Sequence, residues 1–315
     1  MVVLGILMGL GCALAQSFGY IFSRRFVLHH HGGPLRLLVL AHVIMGVAAA
    51  AALPFFWPQR MPPLSAWAWP VAAMTGFYLM GQMVIFLALQ RVEASRIAPL
   101  LGLKVPLLAI MAVAAATAPA PLHDFVAVMG ITQAKAPAGL QWLGVALAVA
   151  AAMALCHHAG QWLSLKVVAA IVFVCITYSL SDLNIIATQH VLADTGVAPA
   201  ILSACICYVL CGAMAAVALP WLGTRNRGAW VDAAPFAGCW LVAMILFFAC
   251  LAHVSAIFGN ILQSTRGLLS IVVGAATAHI GLLHLEGKME RWAFVRRVVA
   301  AMLMVGAIAL YAAGA

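Results

Sequence analysis

The chain has 315 residues, of which 66% are hydrophobic and 7% charged, with a mean hydropathy of +1.13 and a formal net charge of +9. A soluble domain carries about 25% charged residues, so this composition excludes one and predicts an all-α polytopic membrane protein. The eight cysteines lie in or beside apolar runs without metal-ligand spacing, and read as small core residues.

A span needs about 20 apolar residues. Ten transmembrane helices are predicted, at 2–22, 35–57, 67–90, 95–117, 140–157, 166–190, 196–221, 233–252, 256–283 and 293–313. In the first, Ala13-Leu14-Ala15 has the look of a signal-peptidase site. No positive charge precedes the apolar run, which continues to Phe22, so a span is expected. It carries Gln16 and Tyr20 at i,i+4, with Ser17 alongside. Such residues are hydrogen-bond partners for a substrate or helix–helix glue, and the pattern leaves both open. His29-His30-His31 precede Gly32-Gly33 and read as a solvated loop, with no fourth ligand to suggest a metal. Span 3 repeats the polar pairing with Tyr78 and Gln82.

Span 4 carries Lys104 midway along its apolar stretch, between Gly102 and Pro106. Pro106 removes a backbone donor and loosens the helix there. The connection at 118–139 holds Pro119, Pro121, Asp124 and Lys135 around the apolar patch from Phe125 to Ile131. It reads either as a short interfacial or re-entrant segment or as an insert without mechanism. In span 6, Tyr178, Ser181, Asp182 and Gln189 share a face, with Asn184 beside it. His253, a candidate proton carrier, ends span 8. In span 9, Asn260, Gln263, Ser264, Arg266 and Ser270 fall largely at spacings of three and four. A polar stripe in hydrocarbon must find partners, so it is expected to face the protein interior or a wet cavity.

Orientation follows the basic residues. Arg24, Arg25, Arg36, Arg91, Arg96, Lys166, Arg225, Arg227, Lys288, Arg291, Arg296 and Arg297 fall in alternate connections; the opposite connections hold only Arg60 and Lys135. This bias predicts both termini outside the cytoplasm and accounts for the positive charge without any nucleic acid. Ten spans divide into five and five, so the second half is expected upside down relative to the first. The predicted units are two inverted five-helix repeats, 1–158 and 159–315. Aligning Ser95 with Ser255 brings Lys104 and Arg266 to nearly equivalent places.

The chain resembles the drug/metabolite transporter superfamily, specifically its ten-span EamA-like members. The residues that carry the likeness are "LLHLEGKMERWAFVRRVVAAMLMVGAIALY", with Glu286 before a basic loop and Gly306 in the last span, and "TYSLSDLNII", with Asp182 after a small polar run. The first half departs from that pattern: no glutamate follows span 4, and the 118–139 insert replaces a tight turn. The resemblance implies a secondary transporter with a central cavity between the repeats, working by alternating access. Members of this superfamily move amino acids, nucleotide sugars, phosphorylated sugars and other metabolites. The related plastid phosphate translocators are similar in placing basic residues on the spans corresponding to 4 and 9.

An ionised side chain at mid-bilayer costs about 2.5–3.5 kcal/mol on insertion scales, so Lys104 and Arg266 are the leading site candidates. They are expected to bind a small anionic or zwitterionic metabolite, with Asp182 as counter-charge or coupling-proton carrier. Gln263, Asn260, Gln16, Tyr20 and Gln82 complete the expected site. A structural pairing of Arg266 with Asp182 or with backbone carbonyls, and a snorkelling Lys104, remain the alternatives. No cofactor, metal or hydrolase motif is expected, and the chain does not read as an enzyme. The expected setting is a bacterial inner membrane, with the bilayer as partner, a possible coupling ion and a monomer as working unit (a dimer stays open). Other readings are a flippase for a lipid-linked anionic head group and a non-transporting scaffold.

Overall fold

A computed structural model describes residues 1–30, 33–89, 98–156, 164–195, 198–222, 227–270, 273 and 291–314. The described residues form helices and short connections, with no strand among them. Hydrocarbon leaves a backbone no solvent partner, so spanning segments satisfy their own N–H and C=O groups as helices. The helices are α1 (Val2–His29), α2 (Gly33–Phe56), α3 (Leu64–Leu89), α4 (Lys104–Ala116), α5 (Ala120–Val128), α6 (Leu140–Cys156), α7 (Leu165–Val191), α8 (Pro199–Ala218), α9 (Arg227–Leu251), α10 (Ala256–Ser264) and α11 (Arg291–Ala313). Six of them, α1, α2, α3, α7, α8 (with its 3-10 extension to Leu222) and α9, are long and apolar enough to cross a membrane. Shorter apolar helices run over Leu100–Ala116, Leu140–Ala151 and Met302–Ala313.

The expected first span ends at Phe22, but α1 continues to His29. Arg24 and Arg25 therefore ride on the helix, exposed, rather than in a loop. His30, expected in a solvated loop, caps α1 and sits 2.7 Å from Asp232 Oδ2 through its Nε2. His31 lies outside the described residues, as do Ser95, Arg91, Arg96, Arg225, Glu286, Lys288, the predicted repeat boundary and most of span 9 beyond Ser270.

Two helices are interrupted. A 3-10 turn over Ala98–Leu103 precedes α4, which begins at Lys104 itself. Pro106 then falls in the first turn of α4, where a missing N–H costs nothing. The second break follows α10: the helix stops at Ser264, Thr265 forms a turn, and helix resumes at Arg266. Each buried cation thus follows a break in its helical segment.

The most extensive pairings are α1 with α9, α3 with α7, α2 with α8 and α6 with α11. The α2–α8 crossing is closest at Gly46 and Gly212, where a Cβ on either would stand 2.6 Å from the other's Cα. Only hydrogen fits there. At the α6–α11 contact a Cβ on Gly144 would meet Ala307 O at 3.0 Å. Helix α10 packs against α1 and α4, which carries the two broken segments to the middle of the bundle.

The 118–139 connection is folded onto the bundle. Trp69 Nε1 donates to Val128 O, and Asn184 Nδ2 donates to Met129 O at 3.0 Å. Gly130 takes φ +73, and a Cβ there would lie 2.9 Å from Asn184 Nδ2. Leu122, Phe125 and Val128 of α5 are exposed and share one side of it.

Candidate functional site

Lys104 and Asp182 meet at 2.7 Å, Nζ to Oδ2, with both side chains about 95% buried (5% and 6% exposed). Asn260 Nδ2 donates to the same Oδ2 at 2.7 Å and also to Ala256 O at 2.9 Å. The ammonium stands 5.4 Å from the Tyr178 ring centroid and 5.7 Å from that of Phe247. Both contacts favour a desolvated cation. Lys104 from α4, Asp182 from α7 and Asn260 from α10 therefore form one closed cluster. Its charge is balanced within itself.

Arg266 is equally buried, at 6% exposure, but differently served. Its Nη1 donates to Gln16 Oε1 at 3.0 Å. Gln16 Nε2 turns away to Met244 Sδ at 3.9 Å, as it must, because a guanidinium offers only donors. Ser17 Oγ lies 3.1 Å from the Arg266 carbonyl and fixes the backbone. The Arg266 Nε is enclosed and has no hydrogen-bond partner. Among the described residues, no carboxylate lies within ion-pair distance of this guanidinium.

The two cations share one region. Asn260, which meets Asp182 of the Lys104 pair, and Gln263, beside Cys12 of α1, both lie on α10, the helix that leads to Arg266. Counting Lys104, Arg266 and Asp182, the region carries one net positive charge.

An aromatic cluster borders it. Tyr78 Oη lies 3.2 Å from His42 Nε2, 3.1 Å from Tyr208 Oη and 2.9 Å from Trp240 Nε1. His42 Nδ1 is 2.7 Å from Leu38 O, so that nitrogen carries the proton and Nε2 accepts. Trp240 can only donate. Tyr78 therefore donates to His42 and accepts from Trp240 and Tyr208. The Tyr178 ring stacks over Tyr78 at 6.3 Å, and Tyr20 stands edge-on to Trp240 at 6.1 Å.

The remaining expected residues divide. Gln263 is buried with its amide 4.0 Å from Cys12 Sγ. Ser264 and Ser270 bond back to Asn260 O and Gly267 O on their own helix turns. Ser181 and Gln189 donate to Met74 O and Phe248 O, tying α7 to α3 and α9. Tyr20 and Gln82 make no hydrogen bond to either cation; Gln82 is buried one turn beyond Tyr78. His253 is a terminal residue of the α9 region with a buried, unpartnered Nδ1. No group of three or more His, Cys, Asp or Glu suited to a metal exists among the described residues.

No protein-family profile matches the chain. No curated protein matches it either. A solved structure described only as "Crystal structure of protein" aligns over 98% of this chain and 98% of its own length, with a TM-score of 0.58 and 14% identity. The likeness is one of fold. What the site does must therefore come from its own chemistry.

The sequence singled out both cations and Asp182, but not how they pair. It also missed the Tyr78 hub. His42, Tyr78, Tyr208 and Trp240 stand on four different helices, so no spacing within a helix announces them.

Proposed function

We propose that this chain is a secondary transporter of the ten-span drug/metabolite type, moving a small anionic or zwitterionic metabolite through a central cavity. The observation that carries the reading is Arg266, a buried cation without a carboxylate partner among the described residues, beside a Lys104 already neutralised by Asp182. A buried charge left uncompensated is costly, and an anionic ligand would relieve that cost. Asp182 holds Lys104 in the empty state and would be exchanged or protonated on binding. The breaks at Leu103 and Thr265 place irregular backbone beside the charges, as in transporter sites at mid-membrane.

The helix pairings support two inverted five-helix repeats. The spans pair as first with eighth, third with sixth, second with seventh and fifth with tenth. Exchanging each helix with its counterpart in the other half returns the same set. The same sequence interval separates Gln16 from Asp182 and Gly46 from Gly212, and the latter two touch each other. In this reading Gln16–Arg266 and Asp182–Lys104 are counterparts. Both termini lie outside the cytoplasm of a bacterial cell, no covalent chemistry is catalysed, and any driving force is a gradient.

The test is a thermal-shift screen of purified protein against amino acids, sugar phosphates and nucleotide sugars, followed by counterflow in proteoliposomes. Stabilisation by anionic compounds, lost in Arg266→Gln, is expected. Shifts confined to neutral or cationic compounds would overturn the reading.

A further inference from the structure

We propose that the ligand is an aromatic monocarboxylate lacking an amino group, its carboxylate on Arg266 and its ring against Tyr20 and Tyr178; this rests on the anion-transport reading above. Charge gives the first limit. Among the described residues, the one acid inside the buried site is Asp182, and its Oδ2 is already taken by Lys104 and Asn260. Asp232 is paired with His30 at the far end of α9, and Asp124 and Asp194 lie on α5 and the 3-10 turn at Ala193–Thr195. Among the described residues, no free carboxylate waits to receive an ammonium group. The site's single positive excess matches one monoanion, which a guanidinium holds through paired N–H donors.

The surfaces near Arg266 give the second limit. Tyr20 stands one turn along α1 from Gln16, which holds Arg266, and the Tyr178 ring stands 5.4 Å from Lys104 Nζ in the paired cluster. That ring is seated by Gly81, where a Cβ would fall 2.5 Å from it. Tyr20 leans on Trp240, whose N–H is already spent on Tyr78. The neighbouring polar edges of His42, Tyr208 and Trp240 are likewise consumed within the Tyr78 hub. What is offered to a ligand is therefore ring surface, with the Tyr20 and Tyr178 hydroxyls as the polar groups at its edge. A polyhydroxylated anion would leave many of its hydroxyls unmatched here, whereas a flat ring gains stacking or edge contacts.

The experiment compares four probes of similar size on the purified full chain by calorimetry: 3-phenylpropionate, 3-cyclohexylpropionate, L-phenylalanine and 3-phenylpropanol. The expected order places 3-phenylpropionate first, about two- to tenfold tighter than the cyclohexyl acid. L-phenylalanine is expected to bind at least about tenfold more weakly, because its ammonium would be buried unpaired. Arg266→Gln should abolish binding of 3-phenylpropionate. Tyr178→Leu should bring the phenyl-to-cyclohexyl ratio close to one, and Tyr20→Leu makes the same test if Tyr178→Leu does not fold.

Equal binding of the two acids overturns the ring assignment and leaves the anion reading standing. Equal binding of L-phenylalanine overturns the exclusion of an ammonium. Binding of glycerol 3-phosphate with none of the four probes overturns this inference alone. Binding of 3-phenylpropanol as tightly as 3-phenylpropionate, or no anion binding at all, overturns the anion reading with it.

Discussion

Lys104 and Arg266 are two cations in similar settings with opposite electrostatic outcomes. Each is buried and each follows a break in its helix. Each is met by a side chain from another helix: Asp182 Oδ2 for Lys104, Gln16 Oε1 for Arg266. The difference is an acid against an amide. An aspartate neutralises its cation and completes an ion pair, whereas a glutamine orients its cation and leaves the charge in place. The comparison teaches that burial alone does not mark a binding group; what matters is which buried charge lacks its counter-charge.

The largest effect that tests this contrast is on stability. Lys104→Met should cost about 3–5 kcal/mol, since it strands Asp182 as a buried, unpaired carboxylate. Arg266→Met should leave the ligand-free protein as stable or more so, because it removes a buried charge that no carboxylate among the described residues balances. Thermal melts of the two variants would measure the difference, and equal losses would erase the contrast. Pairing Lys104→Met with Asp182→Leu should recover most of the loss.

A second test converts one region into the other. Gln16→Glu places a carboxylate beside Arg266, where a charge-assisted hydrogen bond is worth about 1.5–3 kcal/mol. The melting temperature should rise, and any anion that binds the wild type should weaken by roughly that energy, about ten- to a hundredfold. Unchanged affinity in calorimetry would show that Arg266 does not hold the ligand.

Tyr78→Phe probes the hub that borders both cations. It strips a partner from His42, Tyr208 and Trp240, and should cost about 1–3 kcal/mol in a denaturant or thermal melt. It should do so alike in wild-type and Arg266→Met backgrounds. The smallest expected effect is Gln16→Leu, which removes the orienting acceptor but not the charge. A loss of about 0.5–1.5 kcal/mol in anion affinity is expected, with little change in melting.

Much of this was legible in the chain because hydrocarbon imposes simple rules. Apolar runs marked the long helices, and the price of a mid-bilayer charge drew attention to Lys104, Arg266 and Asp182. Pro106 flagged the loosened span 4, although the break falls before it, at Leu103, with the proline tucked into the new first turn. The break at Thr265 had no proline to announce it; α10, which leads into it, packs against α1 and α4. The choice of Asp182 for Lys104 over Arg266 could not be read either. It depends on which helices touch, and sequence spacing carries no information between elements. Asn184 likewise looked like one more polar residue on α7, yet it anchors the 118–139 segment through Met129 O.

The contact of Gly46 with Gly212 has a mechanical consequence. Two helices whose backbones meet with no side chain between them sit at the shortest separation a helix pair can reach, and that separation sets the fit of every side chain along the crossing. A methyl group at either glycine would push α2 and α8 apart along their whole contact, although neither helix carries Lys104, Asp182 or Arg266.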